Sequence, residues 1–166
     1  MNMEEFRSQL KTIVETHCSE RKKGDELEVL RSEFNHSIRI IDSNESVLKY
    51  NCYMFALDFY QKEINSLDIK QYFIDELFII YLLNNEILKS ISEDILEDND
   101  LIIYFVNNNP VHSGKVRSKR IVSKWGSDIL CEHMALEVPI NYGWSYRYYK
   151  YLLKENVRNC FRKYNE

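Results

Sequence analysis

The spacing of apolar residues along this chain changes near residue 100. Before that point, apolar side chains recur at the three- and four-residue spacing of an amphipathic helix. This spacing predicts helices over residues 3–23 and from Cys52 to Glu63, and one long helix or two over residues 68–96, with a break at Asn84-Asn85. A last helix is expected over about 152–163.

After residue 100 the pattern becomes that of a sheet. The compact apolar run Leu101 to Val106 predicts a buried strand. The segments Val111 to Arg117 and Ile121 to Trp125 predict a hairpin that turns at Ser118-Lys119. Helices followed by an antiparallel sheet indicate an α+β fold.

The remaining segments give shorter elements. The first helix is expected to end near Gly24, since glycine punctuates helices, and a short helix or turn follows over 25–34. A short strand is possible over 37–42, with a polar loop at 43–46. A further strand pair is expected from 135–138 and 146–149.

Composition narrows the class of protein. Apolar residues form 45% of the 166 positions and the net charge is −4, so a substantial core is expected and no global attraction to nucleic acid or membrane. No apolar run approaches the ~20 residues of a membrane span. The first residues lack the basic and apolar regions of a secretory signal. A cytoplasmic location is therefore expected, with delivery as an effector or toxin left open.

Cysteine placement singles out one thiol. The four cysteines have no CxxC spacing, so neither a zinc site nor a disulfide framework is predicted. Cys52 stands at the first turn of a predicted helix, where free N–H groups and the helix dipole stabilise a thiolate and lower its pKa. These features make Cys52 a candidate nucleophile, although a buried core cysteine is the competing interpretation.

His112 is the candidate general base. It begins a predicted strand in which Lys115 and Arg117 alternate with Gly114 and Val116. We expect the two cations to face solvent, and His112 to share with Gly114 the face that packs on helices. A helix beginning at Cys52 and lying on that face would bring the thiol to the imidazole.

A third residue should orient the imidazole of His112. With a two-residue turn, Ser123 lies diagonally across the hairpin from His112 and can accept its second N–H. His133, with Glu132 beside it, is the alternative third member. The backbone N–H of Cys52 is the expected oxyanion donor.

Three neighbouring side chains are candidates for the substrate cleft. The Tyr50 hydroxyl is a possible further oxyanion donor, and Asn51 precedes the nucleophile. Trp125 lies on the expected His112 face, where it would form either a wall of the cleft or part of the core.

These segments resemble a known family. The runs Asn51 to Leu57, Asp100 to Phe105, His112 to Val116 and Ile121 to Gly126 are similar, in order, to the nucleophile helix and histidine strands of NlpC-type peptidases and CHAP amidases. The end of the matched region looks like that of a distinct branch of this family, found in uncharacterised bacterial or phage-type proteins. The family's usual Asp-Cys-Ser-Gly is absent, which puts a preference for cell-wall substrates in doubt.

The resemblance implies a single papain-like domain. In this domain, N-terminal helices would pack on a small antiparallel sheet. Residues 1–48 would be an N-terminal helical extension, 49–150 the catalytic core and 151–166 an extra C-terminal helix. It implies a thiol hydrolase acting on a peptide, amide or ester without a metal or cofactor. The alternatives are an inert papain-like binding module or, less favoured, a nucleic-acid binder that uses the basic stretches 115–124 and 147–163.

Overall fold

The computed structural model describes residues 2–41, 50–67, 71, 73–126 and 129–166. These residues form an α+β fold. The helices are α1 (Met3–Glu15), α2 (Glu20–Glu33), α3 (Cys52–Ala56), α4 (Gln61–Asn65), α5 (Glu76–Asn84) and α6 (Lys154–Tyr164). Short 3-10 turns occur at Glu93–Ile95 and Ile140–Tyr142. No helix in the described ranges is long and apolar enough to cross a membrane.

One antiparallel sheet organises the molecule. Its strands are β1 (Arg39–Ile40), β2 (Ser90–Ile91), β3 (Leu101–Val106), β4 (Asn109–Arg117), β5 (Arg120–Trp125), β6 (Ile129–His133) and β7 (Ser145–Tyr149). The strand order is β1-β6-β5-β4-β3-β7-β2, which places β4 at the centre. The order follows from consecutive hairpins of β3 to β6, with β7 returning to pair with β3.

The β4–β5 hairpin is confirmed with its predicted turn. Ser118 and Lys119 have φ angles of 49° and 64°, the left-handed conformation that a two-residue hairpin turn requires at both positions. Arg117 pairs with Arg120 across the turn, and Lys115 pairs with Val122. The turn therefore sets which side chains share each face of this hairpin.

Helices cover both faces of the sheet. On one face, α1 and α2 pack over a cluster that includes Tyr104, Val116 and Trp125. On the other face, helices α3, α4, α5 and α6 pack over a cluster that includes Ile103 and Val122. The central strands are consequently buried on both sides, and adjacent residues of β4 face different cores.

The prediction that Lys115 faces solvent is wrong. Its side chain is only 1% exposed and its Nζ lies 2.5 Å from Asp58 Oδ1. The ammonium also lies 5.2 Å from the centre of the Phe55 ring of α3. A pattern of alternating charge suggested a solvated face, but the ion pair allows this lysine to lie beneath a helix.

The N-terminal helices divide at a different point from the one predicted. The first helix ends at Glu15, and Ser19 caps α2 by accepting the N–H of Lys22 at 3.3 Å. Gly24 lies inside α2 instead of ending a helix. A serine N-cap therefore determines the boundary here, and the glycine is tolerated within the helix.

The predicted helix from Cys52 to Glu63 is two short helices. Asp58 adopts a positive φ of 51°, and the N–H of Phe59 bonds back to the Met54 carbonyl at 3.0 Å. This is a Schellman ending, normally built on glycine or asparagine. The ending stops α3 after five residues.

The predicted helix over 68–96 is mostly wrong. Only α5 is helical in the described part of this segment; Asp75 caps its start by accepting the N–H of Phe78 at 3.0 Å. The predicted break at Asn84-Asn85 is confirmed, since α5 ends at Asn84. Ser90 and Ile91 instead pair with β7, because pairing across the sheet outweighs local helix preference.

Other short predictions had mixed outcomes. Strand 101–106 is confirmed, and a helix over 154–164 matches the last prediction closely. The segment 135–138, expected to be a strand, is a turn in which the Glu137 carboxylate accepts the N–H of Met134. The strand in this region is β6, which ends just before the turn at His133. The strand expected over 37–42 is reduced to β1, and the polar loop at 43–46 lies outside the described residues.

Two glycines give a matched test of this packing. A Cβ at Gly114 would lie 2.7 Å from the Val122 carbonyl oxygen and 2.8 Å from Ser123 Cβ, whereas at Gly24 the nearest atom is 3.7 Å away. Gly114→Ala should lower the free energy of unfolding by about 2 kcal/mol. Gly24→Ala should raise it by ~0.5–1 kcal/mol. Urea denaturation of both variants measures these changes; equal effects would contradict the close approach of β5 to β4.

Candidate active site

Cys52 occupies the first position of α3. Asn51 caps this helix: its Oδ1 accepts the Met54 N–H at 2.9 Å and its Nδ2 donates to the Ile74 carbonyl at 2.6 Å. The side chain of Asn51, predicted to line the cleft, is therefore engaged in fixing where the helix begins. The position of the thiol follows from this cap.

Two further bonds hold α3 on β4. The Tyr53 hydroxyl donates to the Pro110 carbonyl at 2.9 Å, near the start of the strand. Asp58, just beyond the helix, pairs with Lys115 further along the same strand. Anchoring at both ends places the Cys52 thiol beside the middle of β4.

The immediate neighbour of the thiol is Ser113. The backbone amide and hydroxyl of Ser113 both approach the sulfur and favour its ionised form, as do the amides of Cys52 and Tyr53. Cys52 keeps part of its surface exposed, but burial of the thiol outweighs these contacts and raises its pKa to about 11. The sequence predicted a shift in the opposite direction, because the depth of the thiol was not foreseeable from its place in a helix.

The hydrogen-bond ladder between β4 and β5 explains why the Ser113 amide is available to the Cys52 sulfur. In a two-residue hairpin the closing residues exchange both hydrogen bonds, so the Arg117 amide points to β5. By alternation, the amides of Lys115 and Ser113 point the same way. The pairing of β4 with β5 ends at Lys115 and Val122, two residues before Ser113. The Ser113 amide instead lies against the Cys52 thiol.

His112 lies on the other side of β4. It pairs with Tyr104 in β3, and its imidazole stacks on the Tyr142 ring with centroids 3.8 Å apart and planes 10° apart. The side chain is 1% exposed, and its Nε2 has no hydrogen-bond partner in the part of the chain that the structure describes. Burial, aided by the nearby His133, moves the pKa of His112 well below its usual value, so the imidazole is neutral.

The expected route from Cys52 to His112 is wrong. Helix α3 packs on the Ser113 and Lys115 face of β4, not on the face of His112 and Gly114. No hydrogen bond joins the thiol to His112 Nε2. Burial raises the pKa of the hydroxyl of Tyr142, the stacking partner of His112, and the Cys52 thiol lies close enough to add to this shift.

The predicted third member, Ser123, serves a different histidine. Its Oγ lies 2.8 Å from His133 Nε2 and accepts the Trp125 indole N–H at 2.9 Å. His133 Nδ1 donates to the Met134 carbonyl at 2.9 Å, so Nε2 accepts the serine proton. Ser123 does lie on the His112 side of the hairpin, as predicted, but its hydroxyl is committed to His133.

The other predicted cleft residues lie in the core. Trp125 is 1% exposed and takes part in the Ser123 network, so it does not line an open cleft. The Tyr50 ring is buried against Phe55, with the Lys124 ammonium 4.7 Å from its centre. Glu132 forms an ion pair with Arg120 at 2.6 Å rather than approaching His112.

Two residues near the thiol and imidazole were missed by sequence reasoning. Ser113 directly follows His112, so its proximity to the candidate base was readable, but its contact with Cys52 was not. Tyr142 lies 30 positions beyond His112, and no local signal connects them. In the described ranges, no three histidine, cysteine or acidic side chains converge as metal ligands would.

The buried neutral histidines predict a pH dependence of stability. Burial lowers the pKa of His133 from 6.5 to about 4. Between these two pH values the unfolded chain binds a proton at this histidine and the folded protein does not. Stability present above pH 6.5 should therefore fall as the pH drops towards 4, by about 3 kcal/mol for this group at 1.36 kcal/mol per pKa unit. Urea unfolding across this range measures the slope.

His133→Gln is the matched variant, because carboxylates such as Glu137 also titrate at acid pH. The variant should show a shallower loss of stability than the wild type between pH 6.5 and 4. Identical slopes in the two proteins would show that His133 is not held neutral by burial.

Comparison with known proteins assigns no family. No family model, curated protein or solved structure matches the chain. The function is therefore argued from the arrangement of Cys52, His112 and Ser113.

Proposed function

We propose that this protein is a thiol hydrolase in which Cys52 is the nucleophile and His112 the general base. One observation carries the proposal. A thiol at a helix start lies beside Ser113, just past the end of the β4–β5 pairing, and the Nε2 of the adjacent residue His112 is buried without a hydrogen-bond partner among the described residues. Buried polar atoms are nearly always satisfied, so an unpartnered imidazole nitrogen indicates a functional role.

We also infer that the domain is a papain-like one of the NlpC type. Three features support this inference: a nucleophile helix beginning at Cys52, the strand of His112, and the hairpin that follows it. These are the segments whose sequences resemble that family.

The resting site is a neutral pair. Burial keeps the Cys52 thiol protonated, with a pKa of about 11, and keeps His112 uncharged. A neutral imidazole with a free Nε2 lone pair is able to accept a proton. In the proposed first step, the sulfur attacks the substrate carbonyl carbon and its proton passes to His112 Nε2.

The negative charge that develops on the carbonyl oxygen needs donors. The amides of Cys52 and Tyr53 already lie against the thiol. The Ser113 hydroxyl, which is buried and has only a loose contact with the sulfur, can turn to donate as well. Fixed donors of this kind stabilise the oxyanion of acyl transfer.

The remaining steps restore the enzyme. His112 gives its proton to the leaving amine or alcohol as the carbonyl re-forms, which leaves an acyl group on Cys52. Water then attacks the thioester while His112 accepts its proton. The C–S bond breaks, the acid product departs, and His112 returns the proton to the Cys52 sulfur. Peptidase, amidase and deamidase reactions share these steps and differ in the group that leaves.

The buried lysines weaken the nucleic-acid alternative. Lys115 and Lys124, two cations of the basic stretch 115–124, are each 1% exposed. Arg120 in the same stretch is paired with Glu132. These side chains do not form an open basic strip, so a thiol-based activity remains the better-supported proposal.

Alkylation by iodoacetamide tests the Cys52–His112 pair. If His112 removes the thiol proton during attack, wild-type Cys52 should react at neutral pH faster than a thiol of pKa about 11 allows. His112→Gln should slow this reaction by ~10²-fold, the lower end of general-base effects. Peptide mass mapping follows Cys52 separately from Cys160, the partly buried thiol of α6. A rate at Cys52 indifferent to His112 would exclude the pair.

An activated ester tests acyl transfer directly. With p-nitrophenyl acetate, we expect a burst of one p-nitrophenolate per protein and a mass increase of one acetyl group located on Cys52. Cys52→Ala should abolish both signals, and Cys160→Ser should keep them. A fully folded protein that gives no burst would identify the domain as catalytically inert, and hence a binding module.

A further inference from the structure

Arg7 is a fully buried cation in α1. Its Nε donates to the Val138 carbonyl at 2.9 Å, and its Nη2 donates to the carbonyls of Pro139, at 3.3 Å, and Gly143. One guanidinium thus binds both ends of segment 138–143. The planar fork of arginine suits such multiple contacts, which a single ammonium cannot reproduce.

The guanidinium also contacts the ring of Trp144, the residue that follows this segment. The central carbon of the guanidinium lies 4.1 Å from the centre of the Trp144 ring, while Nη1 has no hydrogen-bond partner among the described residues. Burying a cation with one unsatisfied nitrogen costs folding free energy. Arg7 therefore fixes the conformation of segment 138–143 at a cost to the stability of the protein.

The segment held by Arg7 presents Tyr142 to His112. The ring of Tyr142 lies almost parallel to the imidazole, and its hydroxyl accepts the Gly126 N–H at 3.3 Å at the end of β5. Tyr142 therefore joins the candidate base to the end of β5.

We propose that Arg7 is a positioning residue for His112, acting through the 138–143 segment and the stacked ring of Tyr142. The proposal rests on the function proposed above only for its catalytic consequence. The geometric chain from Arg7 to Tyr142 to His112 exists whether or not the thiol reacts. It makes α1, which contributes no reacting atom, part of the machinery of the site.

The groups facing His112 define what its titration reports. They are Tyr104 from β3, with ring centroids 5.6 Å away, Tyr142 from the 3-10 turn, and His133 from β6. The tyrosine rings exclude water from the imidazole. Releasing the Tyr142 ring should admit water and return the pKa of His112 towards its usual value.

Imidazole carbon–proton NMR against pH is the test. The His112 signal is assigned by its loss in His112→Gln, and three further proteins are compared with the wild type: Arg7→Met, Arg7→Lys and Tyr142→Phe. Arg7→Met should remove the ring-current shift that the stacked tyrosine causes and raise the pKa of His112. Tyr142→Phe keeps a ring in place and should preserve the ring-current shift. Arg21→Met, an exposed change on α2, is the control.

The readouts separate a positioning role from a merely structural one. If folded Arg7→Met leaves the His112 shift and titration unchanged, the proposal is wrong. If Arg7→Met does not fold, Arg7→Lys decides: a folded protein with a partly lost ring-current shift supports the proposal, and an unchanged one overturns it. Neither signal needs turnover, so a failure of the ester burst would reject the hydrolase and leave this inference standing.

Discussion

The burial of β4 on both faces is the constraint on which the rest of the structure depends. Because side chains alternate along a strand, consecutive residues of β4 enter different cores. His112 enters the core beneath α1 and α2, while Ser113 and Lys115 enter the core beneath α3. The thiol of Cys52 lies against Ser113, just past the point where the pairing of β4 with β5 ends.

The electrostatics of the site follow from that burial. Ordinarily a helix start favours a thiolate, but here desolvation outweighs the surrounding amides and the Cys52 thiol stays neutral. His112 is kept neutral by the same effect. The proposed chemistry is therefore proton transfer within a neutral pair, which differs from the charged thiolate–imidazolium pair that the position of Cys52 alone suggested.

Two polar networks, one on each face, keep the central strands in register. On one face, the Ser123 hydroxyl bonds to His133 Nε2 and accepts the Trp125 indole N–H, and His133 Nδ1 donates to the Met134 carbonyl. Each of these side-chain polar atoms therefore has a hydrogen-bond partner. On the other face, Asp58 neutralises Lys115. Networks of this kind are satisfied only when all partners are in place, so they specify the arrangement of strands more strongly than apolar contacts do. His112 Nε2 and Arg7 Nη1, by contrast, are buried without a hydrogen-bond partner among the described residues.

By itself, the sequence determined the elements whose signals are local. The strand 101–106, the Ser118-Lys119 turn and the register of its hairpin follow from short-range patterns, as does the start of a helix at Cys52. Only the tertiary structure decided which face of β4 the helix covers, how deep the thiol lies, and which histidine Ser123 bonds. Those outcomes depend on contacts between residues far apart in the chain, whose free energies outweigh local preference and leave no periodic trace in the sequence.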